Sequence, residues 1–80
     1  MEVLDLNRNN ISDINILEKV NFKELKQLGL KNNNISDIKV LEKVKFEKLE
    51  ALSLGENKID LVQNNLIISK LKSSLKYLFI

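Results

Sequence analysis

The sequence predicts an α/β repeat fold, in which similar coils stack so that their strands form one parallel sheet. Residues 9–22, NNISDINILEKVNF, return 24 residues later as NNISDIKVLEKVKF with three changes. Ahead of each copy, leucines alternate with other residues at the two-residue period of a strand; within each copy, apolar residues recur every three positions. A stacked structure reuses one packing solution, whereas catalysis rarely needs a reactive group in duplicate at such short range.

The duplication extends well beyond this phrase. Residues 2–25 and 26–49 share 14 of 24 positions, and the front of the unit returns once more. The equivalent positions through three units are Leu4, Leu28 and Leu52; Leu6, Leu30 and Leu54; Asn9, Asn33 and Asn57; and Ile11, Ile35 and Ile59. At 80 residues we expect one domain, residues 1–80, with units at 2–25, 26–49 and 50–75 and the start of a fourth at 76–80.

Each unit is expected to begin with a strand that buries one face. The run Leu28-Gly29-Leu30 shows the alternation that places both leucines on the same side. Strands are predicted at about 3–6, 27–30, 51–54 and 77–80. Stacked in parallel at about 4.8 Å, they satisfy one another's backbone groups and align the leucines into a continuous core.

A short helical segment is expected to follow each of the first two strands. Its inward stripe is Ile14, Leu17 and Val20 in the first unit and Ile38, Leu41 and Val44 in the second. Asp13 and Asp37 precede these stripes and are predicted N-caps. Phe22 and Phe46 are assigned to loops that pack under the helical side.

The third unit departs from this pattern. It reads IDLVQNNLIISKLKSSL, without the S-D-I and L-E-K-V motifs of the other two. We expect a longer and more helical segment here. Its buried face is predicted to consist of Leu66, Ile67, Ile68 and Leu71.

Written out, the front of the unit is L-x-x-L-x-L-x-x-N-x-I, which resembles the leucine-rich repeat family over essentially the whole chain. Within that family, the units most resemble the repeats of the phosphatase-1 regulatory subunit type. This resemblance is not used to predict a phosphatase partner. The resemblance implies a solenoid, a right-handed β-α superhelix. A short parallel sheet would line its concave face, with short helices or turns on its convex face.

The same resemblance implies a structural role for the asparagines at the end of each strand. Asn9, Asn33 and Asn57 stand where the family places an inward amide ladder bonded to backbone groups of the following turn. A side-chain amide offers two donor and two acceptor sites, so it can serve its own coil and the next. An asparagine cluster that reads a base or a sugar is the functional alternative.

The residue inventory supports no enzyme, metal site or cofactor. The chain lacks histidine and cysteine, so the Ser12-Asp13 and Ser36-Asp37 pairs have no histidine to relay a proton. No carboxylate spacing is typical of a calcium loop, and Gly29 and Gly55 stand outside any phosphate-loop motif. These serine and aspartate pairs are interpreted as helix-start residues.

Charge and hydropathy do not indicate nucleic acid or membrane as a partner. Thirteen basic and eleven acidic residues leave a net charge of +2, with lysines and glutamates interleaved. We find no apolar run long enough to span a bilayer and no signal peptide. The compartment is unknown from the sequence, and cytoplasmic is the default expectation.

A protein partner is expected on the concave face, because solenoids usually bind there. The expected binding residues lie between and after the strand leucines: Val3, Asp5, Asn7, Arg8, Gln27, Lys31, Ser53, Glu56, Tyr77 and Phe79. Aromatic residues and arginine are frequent in binding hot spots. Two alternatives stay open: Tyr77 and Phe79 shield the last coil, and Arg8 is simply solvated.

The second hypothesis for function is a structural or self-associating fragment. Strands are predicted close to both ends of the chain, without a polar capping coil at either. Exposed strand edges recruit other chains, so a homo-oligomer through the strands near Val3 and Ile80 is the alternative. The chain is also expected to be either a fragment or a truncated gene product of a longer array, and the sequence does not distinguish the two.

Overall fold

The computed structural model describes residues 2–20, 22–44 and 46–80, so that Met1, Asn21 and Lys45 lie outside the description. The four strands are β1 (Val3–Asp5), β2 (Gln27–Gly29), β3 (Ala51–Ser53) and β4 (Tyr77–Phe79). A first 3-10 helix (Asn15–Lys19) follows β1, a second (Lys39–Glu42) follows β2, and the α-helix α1 (Asn65–Ser74) follows β3. The chain is therefore α/β, as the sequence predicts.

All four strands belong to one parallel sheet in the order β1-β2-β3-β4. Leu4 pairs with Leu28, Leu28 with Leu52, and Leu52 with Leu78, at separations of 24, 24 and 26 residues. The predicted parallel sheet and its register are confirmed. A one-residue slip would turn the leucines to the opposite face, so this register is the one that keeps them buried.

Each strand is one residue shorter than predicted, and in the first three units the residue left out is the leucine that ends the predicted strand. The amide N–H groups of Leu6, Leu30 and Leu54 still donate to the neighbouring chain segment, at Gly29, Ser53 and Phe79 respectively, at 2.7–2.9 Å. Beyond these leucines each chain enters a turn. The extra residue is thus bonded to the sheet without extending the strand.

The leucine rows fill the interior between the sheet and the helical segments. Leu28, Leu30, Leu52 and Leu54, on the two central strands, are almost fully buried. Their equivalents on the outer strands, Leu4, Leu6 and Leu78, are only partly buried. An outer strand has a neighbour on one side, so its leucines lose less contact with water.

The first two helical segments are 3-10 helices, and the buried stripe of the first is shorter than predicted, whereas Val44 in the second is partly buried and packs against the core. Ile14 and Leu17 are buried, as are Ile38 and Leu41. Val20 is exposed, so the prediction that it completes the stripe is wrong. The chain has already become extended there, with φ of −95° and ψ of 138°, and no longer follows a helical period.

Asp13 and Asp37 lie one residue before the cap positions, so the N-cap assignment is wrong. The caps themselves are Ile14 and Ile38. Asp13 Oδ1 accepts a hydrogen bond from the Asn15 N–H at 2.9 Å, and Asp37 Oδ1 accepts one from the Lys39 N–H at 3.0 Å. Each aspartate therefore forms a local turn with the residue two positions on. Its side chain accepts from the first N–H of the helix, although the aspartate lies one residue before the cap.

The third unit contains the long helix that its sequence predicts. Ile67, Ile68 and Leu71 are buried, whereas Leu66 is 73 % exposed, so Leu66 was assigned wrongly to the buried face. The buried positions Asn64, Ile67, Ile68 and Leu71 follow the i, i+3, i+4, i+7 spacing of one helix face. Leu66 lies off that face.

Phe22 and Phe46 lie in the loops that lead into β2 and β3. Their rings stack with centroids 5.7 Å apart, and Phe22 is buried. Each ring therefore extends the core under the helical side, where the two units meet.

Candidate binding face and its supporting turns

The side chains between the strand leucines share the face of the sheet opposite the leucine core. They line an open groove of about 400 Å³ that crosses all four strands. The groove contains seven of the predicted binding residues, which are Val3, Asp5, Asn7, Gln27, Ser53, Tyr77 and Phe79. Three others, Arg8, Lys31 and Glu56, are not among its lining residues.

One end of the groove is aromatic. The rings of Tyr77 and Phe79 stack with centroids 6.4 Å apart and planes only 6° apart, and each residue is 57 % exposed. Leu78, between them, turns to the other face and packs against the core. The two rings thus offer a flat apolar surface to solvent.

The middle of the groove is made of small residues. Gly29, Ala51 and Ser53 lie there, each partly buried. The Asn7 side chain reaches over Gly29, and its Oδ1 accepts a hydrogen bond from the Lys31 N–H at 2.7 Å. Asn7 therefore shapes the floor of the groove as well as lining it.

The other end of the groove is acidic. Asp5 is exposed, and its Oδ1 accepts a hydrogen bond from the Asn7 N–H at 2.9 Å. This bond holds the Asp5 side chain beside the turn that follows β1. The face thus runs from one acid to a pair of aromatic rings.

The turn after each of the first three strands contains a residue in the left-handed region. Arg8, Asn32 and Glu56 have φ of 59°, 60° and 55°. This conformation suits asparagine and strains other side chains that carry a Cβ. The sequence reasoning missed this constraint at Arg8 and Glu56; the asparagine at the equivalent position 32 is the signal that could have found it.

The asparagine amides bond the turns of successive units to each other. Asn33 Nδ2 donates to Leu30 O and to Leu6 O of the preceding unit, both at 3.0 Å. Its Oδ1 accepts from the N–H groups of Asn9 and Ile11 at 3.0 and 3.2 Å. Every one of these groups is backbone except the amide itself, so one side chain connects two turns.

The neighbouring amides follow the same geometry less completely. Asn57 Nδ2 donates to Leu54 O and Leu30 O, and its Oδ1 accepts from the Ile35 N–H. Asn9, at the start of the series, donates to Leu6 O and Asn7 O within its own turn. Asn33 is buried, Asn57 is partly buried and Asn9 is exposed, so the central amide is the most enclosed.

Ion pairs also connect consecutive units, and the sequence reasoning did not find them. The glutamate–lysine pairs are Glu2–Lys26 at 3.5 Å, Glu24–Lys48 at 2.9 Å, Glu50–Lys76 at 3.8 Å and Glu42–Lys70 at 3.6 Å. The first two join residues 24 apart, so opposite charges at the repeat spacing were the available signal.

The Glu24–Lys48 pair is close enough to shift both titrations. The hydrogen bond from Lys48, and then its positive charge, lower the pKa of the Glu24 carboxyl. The same hydrogen bond and the charge of Glu24 raise the pKa of the Lys48 ammonium. Both side chains are exposed to solvent, where such pairs add little stability.

Within residues 2–20, 22–44 and 46–80, no three Asp or Glu side chains are grouped as a metal site requires. No helix in this part of the chain is long and apolar enough to cross a membrane. What the described side chains do offer is an open face with hydrogen-bonding and aromatic groups.

The fold and this groove define a small α/β protein with a four-stranded parallel sheet and one open sheet face. No protein-family model, curated protein or solved structure matches the chain.

Proposed function

We propose that the chain is a leucine-rich repeat protein that acts as a noncatalytic protein-interaction module, with the groove on the sheet face as its binding surface. The observation that carries this proposal is the single groove that crosses all four strands and ends on the exposed rings of Tyr77 and Phe79. Large exposed aromatic side chains in one concave surface are frequent at protein interfaces.

The repeat architecture rests on two features of the described residues. Equivalent leucines pair in register from strand to strand, and equivalent asparagines bond equivalent backbone groups at the turns. In this proposal the units form a right-handed solenoid, with the sheet on the concave side and the 3-10 helices and α1 on the convex side. Such a solenoid presents its inner curve to partners.

The chemistry of the groove favours a protein segment over a nucleic acid as the ligand. Asp5 lies within the groove, whereas Arg8 and Lys31 do not line it, so the groove lacks the basic lining that phosphates require. The partner would present an apolar side chain to Tyr77 and Phe79. It would place hydrogen-bonding groups near Gln27 and Asp5, with the small middle residues leaving room for its backbone.

The test is to capture proteins with the intact chain and with two double variants. Tyr77→Ala with Phe79→Ala removes the aromatic end of the groove. Val62→Ala with Leu66→Ala removes two exposed apolar side chains outside the groove and is the matched control. Circular dichroism first establishes that all three proteins are folded to the same extent.

We expect at least one captured protein to be lost with the groove variant and retained with the control. Its affinity, measured by calorimetry with the purified components, should fall about tenfold or more, as truncation of an aromatic hot spot typically produces. Equal affinities for the two variants would place the binding surface elsewhere.

A further inference from the structure

We propose that two copies of this chain associate through β4, in an antiparallel pair with a two-fold axis at Leu78, to form one eight-stranded sheet. This goes beyond the binding function, because it uses the edge of the sheet and the partner is a second copy. The backbone groups and side chains of β4 favour this pairing, and β1 lacks the same features.

The backbone of β4 is ready for such pairing. Tyr77 donates its N–H to Glu50 O, and Phe79 O accepts from the Leu54 N–H, so these two residues face β3. Alternate residues of a strand bond to opposite sides. Leu78 therefore directs its N–H and C=O away from the sheet, and two copies can exchange both hydrogen bonds at this residue.

This register brings apolar side chains together on the groove face. When Leu78 lies opposite Leu78 of the second copy, Tyr77 of each copy lies directly opposite Phe79 of the other. Side chains that face each other in this way lie about 4.5–5.5 Å apart at Cβ, and aromatic pairs there are favourable. The exposed rings of each copy would then form one cluster, and the two grooves would join.

The register is also favourable on the opposite face. There Leu78, Ile80, Leu61 and Ile68 border an open groove of about 450 Å³ beside α1. A second copy would add its own Leu78 and Ile80 to this surface. Lys76 would lie opposite Ile80 of the second copy, so the two Lys76 ammonium groups do not meet.

Exposed apolar side chains are concentrated in this part of the described chain. Six of the nine large exposed ones lie between residues 61 and 80: Leu61, Val62, Leu66, Tyr77, Phe79 and Ile80. Strand edges that stay single are usually protected by charges, proline or a bulge. Within β4, Tyr77–Phe79, there is no charged residue and no proline.

The edge of β1 is a poorer match for β4. A head-to-tail arrangement would continue the sheet with β1 of the next copy, and the register of the units would set Asp5 beside Phe79. The carboxylate of Asp5 from the next copy would thus lie against the Phe79 ring, which is unfavourable. Lys76 and Glu2 of the next copy could form an ion pair in the same arrangement. Such an arrangement also does not close, whereas the two-fold pair does.

The first experiment measures the mass of the intact chain by light scattering as the concentration rises. We expect it to increase from 9.2 kDa to twice that value and to stop there. A mass that stays at 9.2 kDa up to high micromolar concentration would overturn the proposal. A mass that keeps growing would indicate the head-to-tail arrangement and would also overturn it.

The second experiment tests the register with cysteine, which the natural chain lacks. A hydrogen-bonded antiparallel pair has Cα atoms about 5.5 Å apart, within the range of a disulfide. Under mild oxidation Leu78→Cys should therefore give a covalent dimer much faster than the exposed control Val62→Cys. Equal rates, or faster linkage in a mixture of Leu4→Cys with Leu78→Cys than in Leu78→Cys alone, would contradict the two-fold register.

A pair of charge variants separates this association from loss of folding. Tyr77→Lys with Phe79→Lys sets like charges opposite each other, and we expect dimerisation to weaken at least tenfold. Tyr77→Glu with Phe79→Lys sets opposite charges at the same positions and should dimerise more tightly than the like-charge variant. If both variants dimerise equally weakly while folded, positions 77 and 79 are not opposite each other in the dimer.

Discussion

The Asn7 side-chain oxygen lies only 2.8 Å from the position that a Cβ atom would take on Gly29. The same oxygen accepts a hydrogen bond from the Lys31 N–H at 2.7 Å. Gly29 is therefore needed for the space above it, and its φ is not in the left-handed region. The absence of a side chain at Gly29 lets the Asn7 side chain, two residues beyond β1, reach the turn that follows β2.

Gly29→Ala should reduce the free energy of unfolding by about 1–2 kcal/mol, because Asn7 must move and the Lys31 N–H then loses its partner. Chemical denaturation provides the measurement. In Asn7→Ala the clash is already gone, so adding Gly29→Ala there should cost much less.

Gly55→Ala is the matched control for this substitution. The nearest atoms to a Cβ at Gly55 are 3.7 Å away, which is ordinary contact. We expect a change within about 0.5 kcal/mol. If the two alanine variants were equally destabilised, the contact between Asn7 and Gly29 would not be the cause.

Asn33→Ala should be the most destabilising of the three asparagine substitutions at the turns. Asn33 is 6 % exposed and bonds backbone groups of two units, so its loss leaves several of them without partners. At roughly 1–3 kcal/mol for each buried group left unpaired, we expect a total of about 2–4 kcal/mol. Thermal and denaturant unfolding both report this quantity.

Asn34→Ala is the neighbouring control, because Asn34 is exposed and its backbone bond to Ile11 O does not involve the side chain. Its unfolding midpoint should stay close to that of the natural chain. Asn57→Ala should fall between these, and Asn9→Ala should be milder than Asn33→Ala. Equal midpoints for Asn33→Ala and Asn34→Ala would remove the structural role of the amide.

Ile16 and Val40 occupy equivalent positions in the first two units, yet they should respond differently to truncation. Ile16 is 63 % exposed and Val40 is 4 % exposed. The second 3-10 helix packs against the first on one side and against α1 on the other, whereas the first lies at the end of the row. Ile16→Ala should therefore change stability by less than about 0.5 kcal/mol, and Val40→Ala should cost about 1–3 kcal/mol.

Denaturant unfolding of both variants under the same conditions measures this difference. An equal loss in the two proteins would mean that Val40 is no more buried than Ile16 in solution.

Glu56→Gly should stabilise the fold, since Glu56 has a φ of 55° that a glycine adopts without strain. The gain in the free energy of unfolding should be about 0.5–1 kcal/mol, the left-handed penalty less the entropy of the freer unfolded chain. Asn32→Gly should gain less, because asparagine already tolerates this region. Glu56→Val should be destabilised, and a stabilised valine variant would contradict the left-handed geometry at this turn.

The Glu24 carboxyl should titrate below the ordinary range of glutamate, since Lys48 holds its pKa down. A lowered folded-state pKa means that the pair stabilises the fold above the unfolded pKa and that this contribution is lost as the pH falls through the folded value. Carboxyl resonances followed by NMR through the acid range give the measurement. In Lys48→Gln the pKa should return upward, whereas Lys72→Gln, which removes a charge from α1, should leave it unchanged.

Much of the fold followed from spacing alone. The 24-residue offset placed Leu4, Leu28 and Leu52 in register, and the alternation around each of them identified the strands. These features are visible because neighbouring units solve the same packing problem with the same residues. The groove residues were predictable for a related reason: side chains of a strand alternate between its two faces, so the burial of the leucines assigns the intervening positions to the other face.

Other features depend on contacts that a repeat pattern does not contain. Leu66 and Val20 fit an apolar pattern but lie outside the core: Leu66 is off the buried face of α1, and at Val20 the chain has already left the first 3-10 helix and become extended. Likewise Ile16 and Val40 have the same place in the motif and different surroundings. Burial depends on what lies on both sides of a unit, and the sequence of one unit does not specify this.

The sequence by itself determined the unit, its register and the face on which the leucines lie, since periodicity fixes which side chains point together. Only the tertiary structure decided that Asn7 crosses to Lys31 above Gly29, that three turns use left-handed residues, and that Tyr77 and Phe79 stack as the exposed end of a groove. The first of these features depends on a distance of a few ångströms between segments 24 residues apart, and the other two depend on backbone and side-chain angles. A linear pattern encodes neither.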